Sequence, residues 1–444
     1  MDRLPTITEH RQTMERKRAS HRGRRISAAI AVGAGAALAP GVLFLTRPFG
    51  DVRWSSAPPH DTSIYASQSG DGQQTMPLVV SPFHLDTEPM KRLLLVNFEQ
   101  DPDRTYLGLE PQAFADDLHG TGLLVLGWRV DGRVDVFHDP ALRLEPANYG
   151  IAGKGLHQMA ERSFGGATFE VGPAGAQVDL RFEDLEGREI SIFIRETDMR
   201  PRRPFNLLAP MGTAASDPPA LPLVYVNDFY FVRKAGTEVR IAIDGRVHEG
   251  DSIPLILDGA RVHFLRYSAD PFIVTWNPRS VSRAAILHGV TAHRSGTMEA
   301  EAAGNRYDLI DHVGHVEIQR MTRGDGRHQV VIDFEPAFPH LLALRDEVDV
   351  SGRFRITSEP QAGTVVGTWR VSRSGDRIDL ELSPNGGWTP GEAPPMARVL
   401  FRTVSMFRQW PTTYRWRGSL AVPADAARAP RDGLSMTSRW ERLD

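Results

Sequence analysis

QVDLRFEDLEGREISIFIRE, residues 177–196, decides the fold class. Val178, Leu180 and Phe182, then Ile190, Ile192 and Ile194, alternate with polar neighbours, and a period of two places one apolar face on each of two strands. Half-buried antiparallel strands follow from it. Upstream, LLLVNF (93–98), LLVLGWRV (123–130) and RVDVFHD (133–139) have the same texture, the last two joined by Asp131-Gly132, a strong two-residue hairpin signal. Downstream come PLVYVNDFYFVRK (222–234), TEVRIAIDG (237–245) and ARVHFLRYS (260–268), with a break at Asn277-Pro278. A second series includes SRAAILHGV (282–290), GHVEIQRM (314–321), RHQVVIDF (327–334), GRFRITS (352–358), DRIDLELS (376–383) and MARVLFRTVSMF (396–407). Helical candidates are few: 112–118, 156–161 and 340–348. About twenty strands exceed what one open sheet accommodates. The expected class is therefore all-β, with two antiparallel barrels or sandwiches over 78–278 and 279–444.

Before the strands lies ISAAIAVGAGAALAPGVLFL (26–45), which carries no charged residue. At about 1.5 Å per helical residue such a run spans about 30 Å, the hydrocarbon thickness of a bilayer. Arg16, Lys17, Arg18, Arg22, Arg24 and Arg25 precede it, whereas only Arg47 and Arg53 follow closely. That imbalance predicts a single transmembrane helix over 26–46, a cytoplasmic basic tail over 1–25 and an extracytoplasmic main part. Residues 47–77, rich in Pro, Ser, Gly and Gln, read as a linker. A cleaved export signal is the competing reading. It has Arg24-Arg25 and the small-residue spacing Ala37-Leu38-Ala39 in its favour, and Pro40 against it.

A net charge of −3 leaves no basic excess for nucleic acid, and the basic cluster sits at the membrane flank. The absence of cysteine excludes disulfides, iron–sulfur clusters, thiolate zinc and a cysteine nucleophile. Stability must then come from core size, for which 41% hydrophobic residues suffice. No cofactor is expected, and the oligomeric state is left open.

Gly-Thr-Trp-Arg-Val (367–371), Ile-Asp-Leu-Glu-Leu (378–382) and Tyr-Arg-Trp-Arg-Gly-Ser (414–419) resemble the C-terminal strands of the tandem lipocalin-like superfamily. That group includes the carotenoid 1,2-hydratase (hydroxyneurosporene synthase) type, AttH-like proteins and Diels–Alderase relatives. The resemblance implies two lipocalin-like barrels. Where the family closes on Trp-Glu-Gly-Ala, this chain has Trp416-Arg417-Gly418-Ser419, so no acid is inherited at that place.

Candidate chemistry is scattered. Asn227-Asp228-Phe229-Tyr230 interrupts an apolar strand; turned into a barrel, Asp228 would have its pKa raised and suit general-acid work, with Tyr230 orienting a ligand. Turned to solvent, the same carboxylate is merely a polar surface group. Trp128, Trp276, Trp369 and Trp416 sit in strands and either line a pocket for an isoprenoid-like ligand or fill the core. Arg355, Arg370 and Arg402 alternate with apolar residues and would meet an anionic headgroup, or water. His288, His293, His312 and His315, with Asp308 and Asp311, have metal-ligand chemistry. An odd separation turns His312 and His315 to opposite faces unless Gly314 makes a bulge, so no metal is expected. Gly153-Lys154-Gly155 is a faint anion-binding signal, and no catalytic motif is present.

The expectation is a membrane-tethered protein of the cell envelope that binds an apolar or amphipathic small molecule, a lipid or isoprenoid. A hydratase or cyclase acting by general-acid catalysis, and an interaction module without a cavity, are its alternatives.

Overall fold

The computed structural model describes residues 45–54, 58–66, 79–211, 215, 217–257, 259–292, 297–324, 326–422 and 433–443. The expected membrane run lies outside them except for its last residues, and so do the tail and much of the linker. Among the described residues no helix is long and apolar enough to cross a membrane. Strand makes up 59% and helix 8%, so the fold is mostly β, and it contains a sheet curled into a half-barrel.

Three sheets carry the chain. In the ten-stranded sheet the central strands run in the order Leu221–Arg233, Ala260–Trp276, Arg92–Asn97, Tyr106–Asp116, Gly120–Arg129 and Val134–His138. One face packs Leu94, Val96, Leu109, Val125 and Leu265 against a five-stranded sheet, which answers with Val178, Leu180, Ile190 and Ile192. The alternation in residues 177–196 is thus the inner face of that smaller sheet. Its two strands pair in the register Ile190↔Phe182, Ile192↔Leu180, Ile194↔Val178.

The twelve-stranded sheet is a meander from His288–Ala292 to Leu434–Arg442. Arg283–Ile286 pairs with the last strand, while His288–Ala292, one residue further on, pairs with Thr297–Ala302 at the opposite end of the order. The chain therefore passes from one side of the strand order to the other within residues 283–292, which requires the sheet to curl. Two segments that precede the first sheet join this second region. Val80–Ser81 pairs with Arg283–Ile286, and Tyr65 bridges to Leu344. One large core unites Phe83, Leu221 and Trp276 with Trp369, Trp416 and Trp440.

Four local expectations change. Residues 112–118 are not helical: Tyr106–Asp116 is a strand, because Glu110, Gln112 and Phe114 lie opposite Leu126, Leu124 and Gly122 in a hairpin with Gly120–Arg129. Residues 156–161 form a strand parallel to Val134–His138. Over 340–348 only the turn Leu341–Ala343 is helical, and the strand Val348–Glu359 starts immediately after it. Conversely, part of 396–407 forms helices α1 (Pro395–Thr403) and α2 (Ser405–Gln409) instead of a strand. Ala397 and Phe401, four residues apart, bury one face of α1, and a spacing of four is helical periodicity.

Candidate ligand-binding face

Strand register assembles the site. Phe231 lies opposite Arg266 and Arg266 opposite Leu95; Asn97 lies opposite Gly108, Gly108 opposite Trp128, and Glu110 opposite Leu126. Opposed residues, and residues two apart, share a face. Phe229, Phe231, Arg266, Leu95, Asn97, Glu110 and Trp128 therefore belong to one face of the ten-stranded sheet, the face turned away from the five-stranded sheet. Leu95, Trp128, Phe264 and Arg266 are half-buried, so water reaches part of it.

Glu110 is the acid at its centre, 2% exposed. Gln112 Nε2 donates to Glu110 Oε1 at 2.9 Å and Trp128 Nε1 donates to Oε2 at 3.0 Å. Burial nevertheless pushes the carboxyl up to about 7, because desolvation outweighs those two hydrogen bonds. Arg266 donates through Nη2 to Asn97 Oδ1, and its guanidinium carbon lies 4.0 Å from the Phe264 ring centroid. Burial draws this guanidinium down to about 10, against the pull of Glu110, Glu99 and Asp251. Its Nε is buried without a hydrogen-bond partner among the described residues.

At the Phe229 end the face runs into a pocket lined by Arg202, Arg203, Phe205, Phe229, Phe231 and Arg233, together with Ala397 of α1 and Pro394 just before it. The cavity is small, about 40 Å³, which suits a headgroup or a chain end. Arg202 Nη2 donates to Glu196 Oε1 at 2.9 Å, while Arg202 Nε is buried and has no partner among the described residues. Arg233 donates to the carbonyls of Arg200 and Pro201, each at 2.9 Å. Arg200 and Arg233 pair with Asp198, and Arg202 pairs with Glu196. The walls are aromatic.

The residues singled out from the sequence fall in different places. Tyr230 lines the pocket and stacks on Tyr267, with ring centroids 5.4 Å apart. Asp228 is exposed, in a left-handed conformation with φ 48°, and its N–H donates to Asn206 Oδ1. Its carboxylate is open to water, not enclosed by apolar groups. Trp128 is on the face beside Glu110. Trp276, Trp369 and Trp416 are at most 1% exposed and fill the large core, where Trp369, Leu382, Trp416 and Trp440 form one cross-strand row. They present no surface to a ligand. Arg355 gives both Nε and Nη2 to Asp333 Oδ2, at 3.1 and 2.7 Å, and covers the Trp54 ring. Arg370 is paired with Asp349. Arg417, standing where the lipocalin-like pattern has glutamate, lies opposite Glu381 with its Nε 3.6 Å from Oε2 on a half-exposed surface.

The histidines give one surprise. Val313 and Gly314 form a two-residue turn with φ 53° and 83°, so His312 and His315 are cross-strand partners and share a face. His312 Nδ1 lies 3.2 Å from Glu317 Oε1, which also accepts from Tyr65 at 2.6 Å, and the Tyr65 ring stacks on His315. Among the described residues no group of three His, Asp or Glu is placed to hold a metal ion.

Glu110, Arg266 and Arg202 were missed in the sequence. The available signal was a charge at an otherwise apolar strand position: Glu110 in YLGLEPQAFA and Arg266 in VHFLRYS. No family model, no curated protein and no solved structure matches this chain.

Proposed function

We propose that this chain binds an amphipathic small molecule, a lipid or isoprenoid derivative with an anionic group, on the face that runs from the arginine pocket to Trp128. One observation carries the reading. Among the described residues, Arg202 keeps a buried Nε–H without an acceptor in a pocket walled by Phe205, Phe229 and Phe231. Buried donors are normally satisfied, and an anionic oxygen at this position would satisfy this one while the rings took up an apolar chain. The orphaned Nε of Arg266 on the same face supports a ligand of some length. Two lipocalin-like units are the architecture that accords with this reading, the ten-stranded sheet being taken as the basis of one and the twelve-stranded sheet as the basis of the other. The proposal places the main part outside the cytoplasm, tethered through 26–46.

The test is native mass spectrometry, with lipid extraction, of the full chain purified from its host, beside Phe231→Asp. The wild type is expected to retain one amphipathic compound that the variant loses at least about five-fold, because a carboxylate among the rings repels the anion and costs desolvation. Equal retention by both proteins would defeat the pocket reading.

A second reading is favoured by Glu110, whose carboxyl is half neutral near pH 7. In an enzyme of hydratase type it would protonate a C=C bond of the bound ligand, leaving a cation beside the Trp128 ring. Water would add to that cation, and its proton would return to Glu110. Glu110→Gln is then expected to keep the ligand and abolish turnover, measured as hydrated product in the extract. Undiminished product would exclude this acid.

A further inference from the structure

The described chain opens on two helical residues, Leu45, the last of the uncharged run of 26–45, and Thr46, which follows it. Their carbonyls are held by α1. Arg402 Nη1 donates to Leu45 O at 2.5 Å, Arg398 Nη1 to Thr46 O at 2.9 Å, and Arg402 Nη2 to Pro48 O at 3.3 Å. The Arg402 guanidinium also covers the Phe49 ring at 4.0 Å, and Phe49 meets Phe401. Basic side chains on the last carbonyls of a helix satisfy its unpaired acceptors and oppose its dipole. The point where the chain would leave a membrane is thereby clamped to α1.

The rest of the helix pair faces outward with a composition suited to that neighbourhood. Residues 395–409 contain three arginines and no carboxylate. Val399, Leu400 and Phe407 are half-buried, Met406 is 44% exposed, and Arg408 is exposed, as is Arg47 beside the clamp. Short apolar and cationic helices of this kind settle at the boundary between headgroups and acyl chains.

We propose that α1 and α2 form a docking surface for an anionic lipid bilayer, with Met406 in the headgroup boundary and Arg408 and Arg47 at lipid phosphates. Pro394 and Ala397 belong to the pocket wall as well, so docking sets the mouth of the pocket against the leaflet. This step rests on the proposed function and identifies the source of its ligand as the bilayer.

The chain has no cysteine, so a single introduced one is labelled uniquely. Full-length Met406→Cys and Val313→Cys, the latter at a hairpin tip 75% exposed, would each carry an environment-sensitive dye. Both would be reconstituted into phosphatidylcholine vesicles containing phosphatidylglycerol, with and without a brominated lipid. The brominated lipid is expected to reduce emission at position 406 at least about two-fold and to leave position 313 nearly unchanged. Equal response at the two positions, or none at 406 in a chain that floats with the vesicles, would overturn the docking surface. A chain that does not float would overturn the anchor as well. In either case, ligand retention by the wild type against Phe231→Asp still decides the pocket reading separately.

Discussion

Glu110→Gln is expected to make the protein more stable than the wild type at pH 8, by about 3 kcal/mol, and nearly equal to it at pH 4. The folded carboxyl titrates near 7, above its ordinary value of 4.5. Below the unfolded value both states hold the proton, and the neutral carboxyl is retained without penalty. As the pH rises the unfolded chain ionises first, so stability falls through the window from 4.5 to 7. Above it the folded protein carries a buried charge. One pKa unit is about 1.4 kcal/mol, which sets the magnitude. Glutamine retains an acceptor for Trp128 and removes the titration. Denaturant unfolding of both proteins at several pH values isolates the effect, because every other group cancels in the difference. A difference that does not change with pH would mean that Glu110 is ionised and well compensated in the fold. The general-acid reading would fall with it.

The second large effect is expected at Gly175, which supports the pocket from behind. Its φ is +112°, and a Cβ there would lie 1.9 Å from Glu196 Oε2 and 2.5 Å from Arg202 Nη2. Glu196, fully buried, accepts from the N–H of Ala176 at 2.6 Å and of Arg233 at 3.1 Å, besides pairing with Arg202. Alanine would force the carboxylate out of this arrangement. Breaking a buried ion pair costs about 3–5 kcal/mol, and the backbone conformation adds about 1–3 kcal/mol. Gly175→Ala should therefore lose more than about 3 kcal/mol by denaturant unfolding. Gly187→Ala is the control: it also has positive φ, +74°, but nothing lies within 4 Å of the added Cβ, so only the backbone cost remains. Similar losses in the two variants would show that Glu196 has another place to go. Arg202 would then not be held by it.

The site was only partly legible because the chemistry lies between strands distant in sequence. Tyr230 and Trp128 were singled out because each sits in a conspicuous strand, and one lines the pocket while the other touches the buried acid. Asp228 attracted notice by interrupting an apolar run, yet a left-handed backbone there carries its side chain to solvent. Glu110 was passed over because the segment beginning at Gln112 was assigned to a helix, a reading that hid the face it shares with Trp128. For the tryptophans of 276, 369 and 416 the sequence left two alternatives open, a pocket wall or the core. An aromatic residue in a strand carries no mark of whether its side of the sheet is a cavity or a core, and here it is a core.

What the sequence determined by itself was the β class, the hairpin at 177–196 with its apolar face, and the uncharged run that ends at Leu45. These properties depend on periodicity and composition within a dozen residues or so, where side-chain direction follows from the backbone repeat. Only the tertiary structure decided which strands became neighbours. Packing between segments over a hundred residues apart brings Arg266 to Asn97 and α1 to the carbonyls of Leu45 and Thr46, and it gathers Arg202 with the rings of Phe229 and Phe231 from separate strands and loops. A carboxyl is pushed toward neutrality, and a guanidinium N–H is left without an acceptor, by the protein packed around them from all directions, and no local pattern in the chain encodes that enclosure.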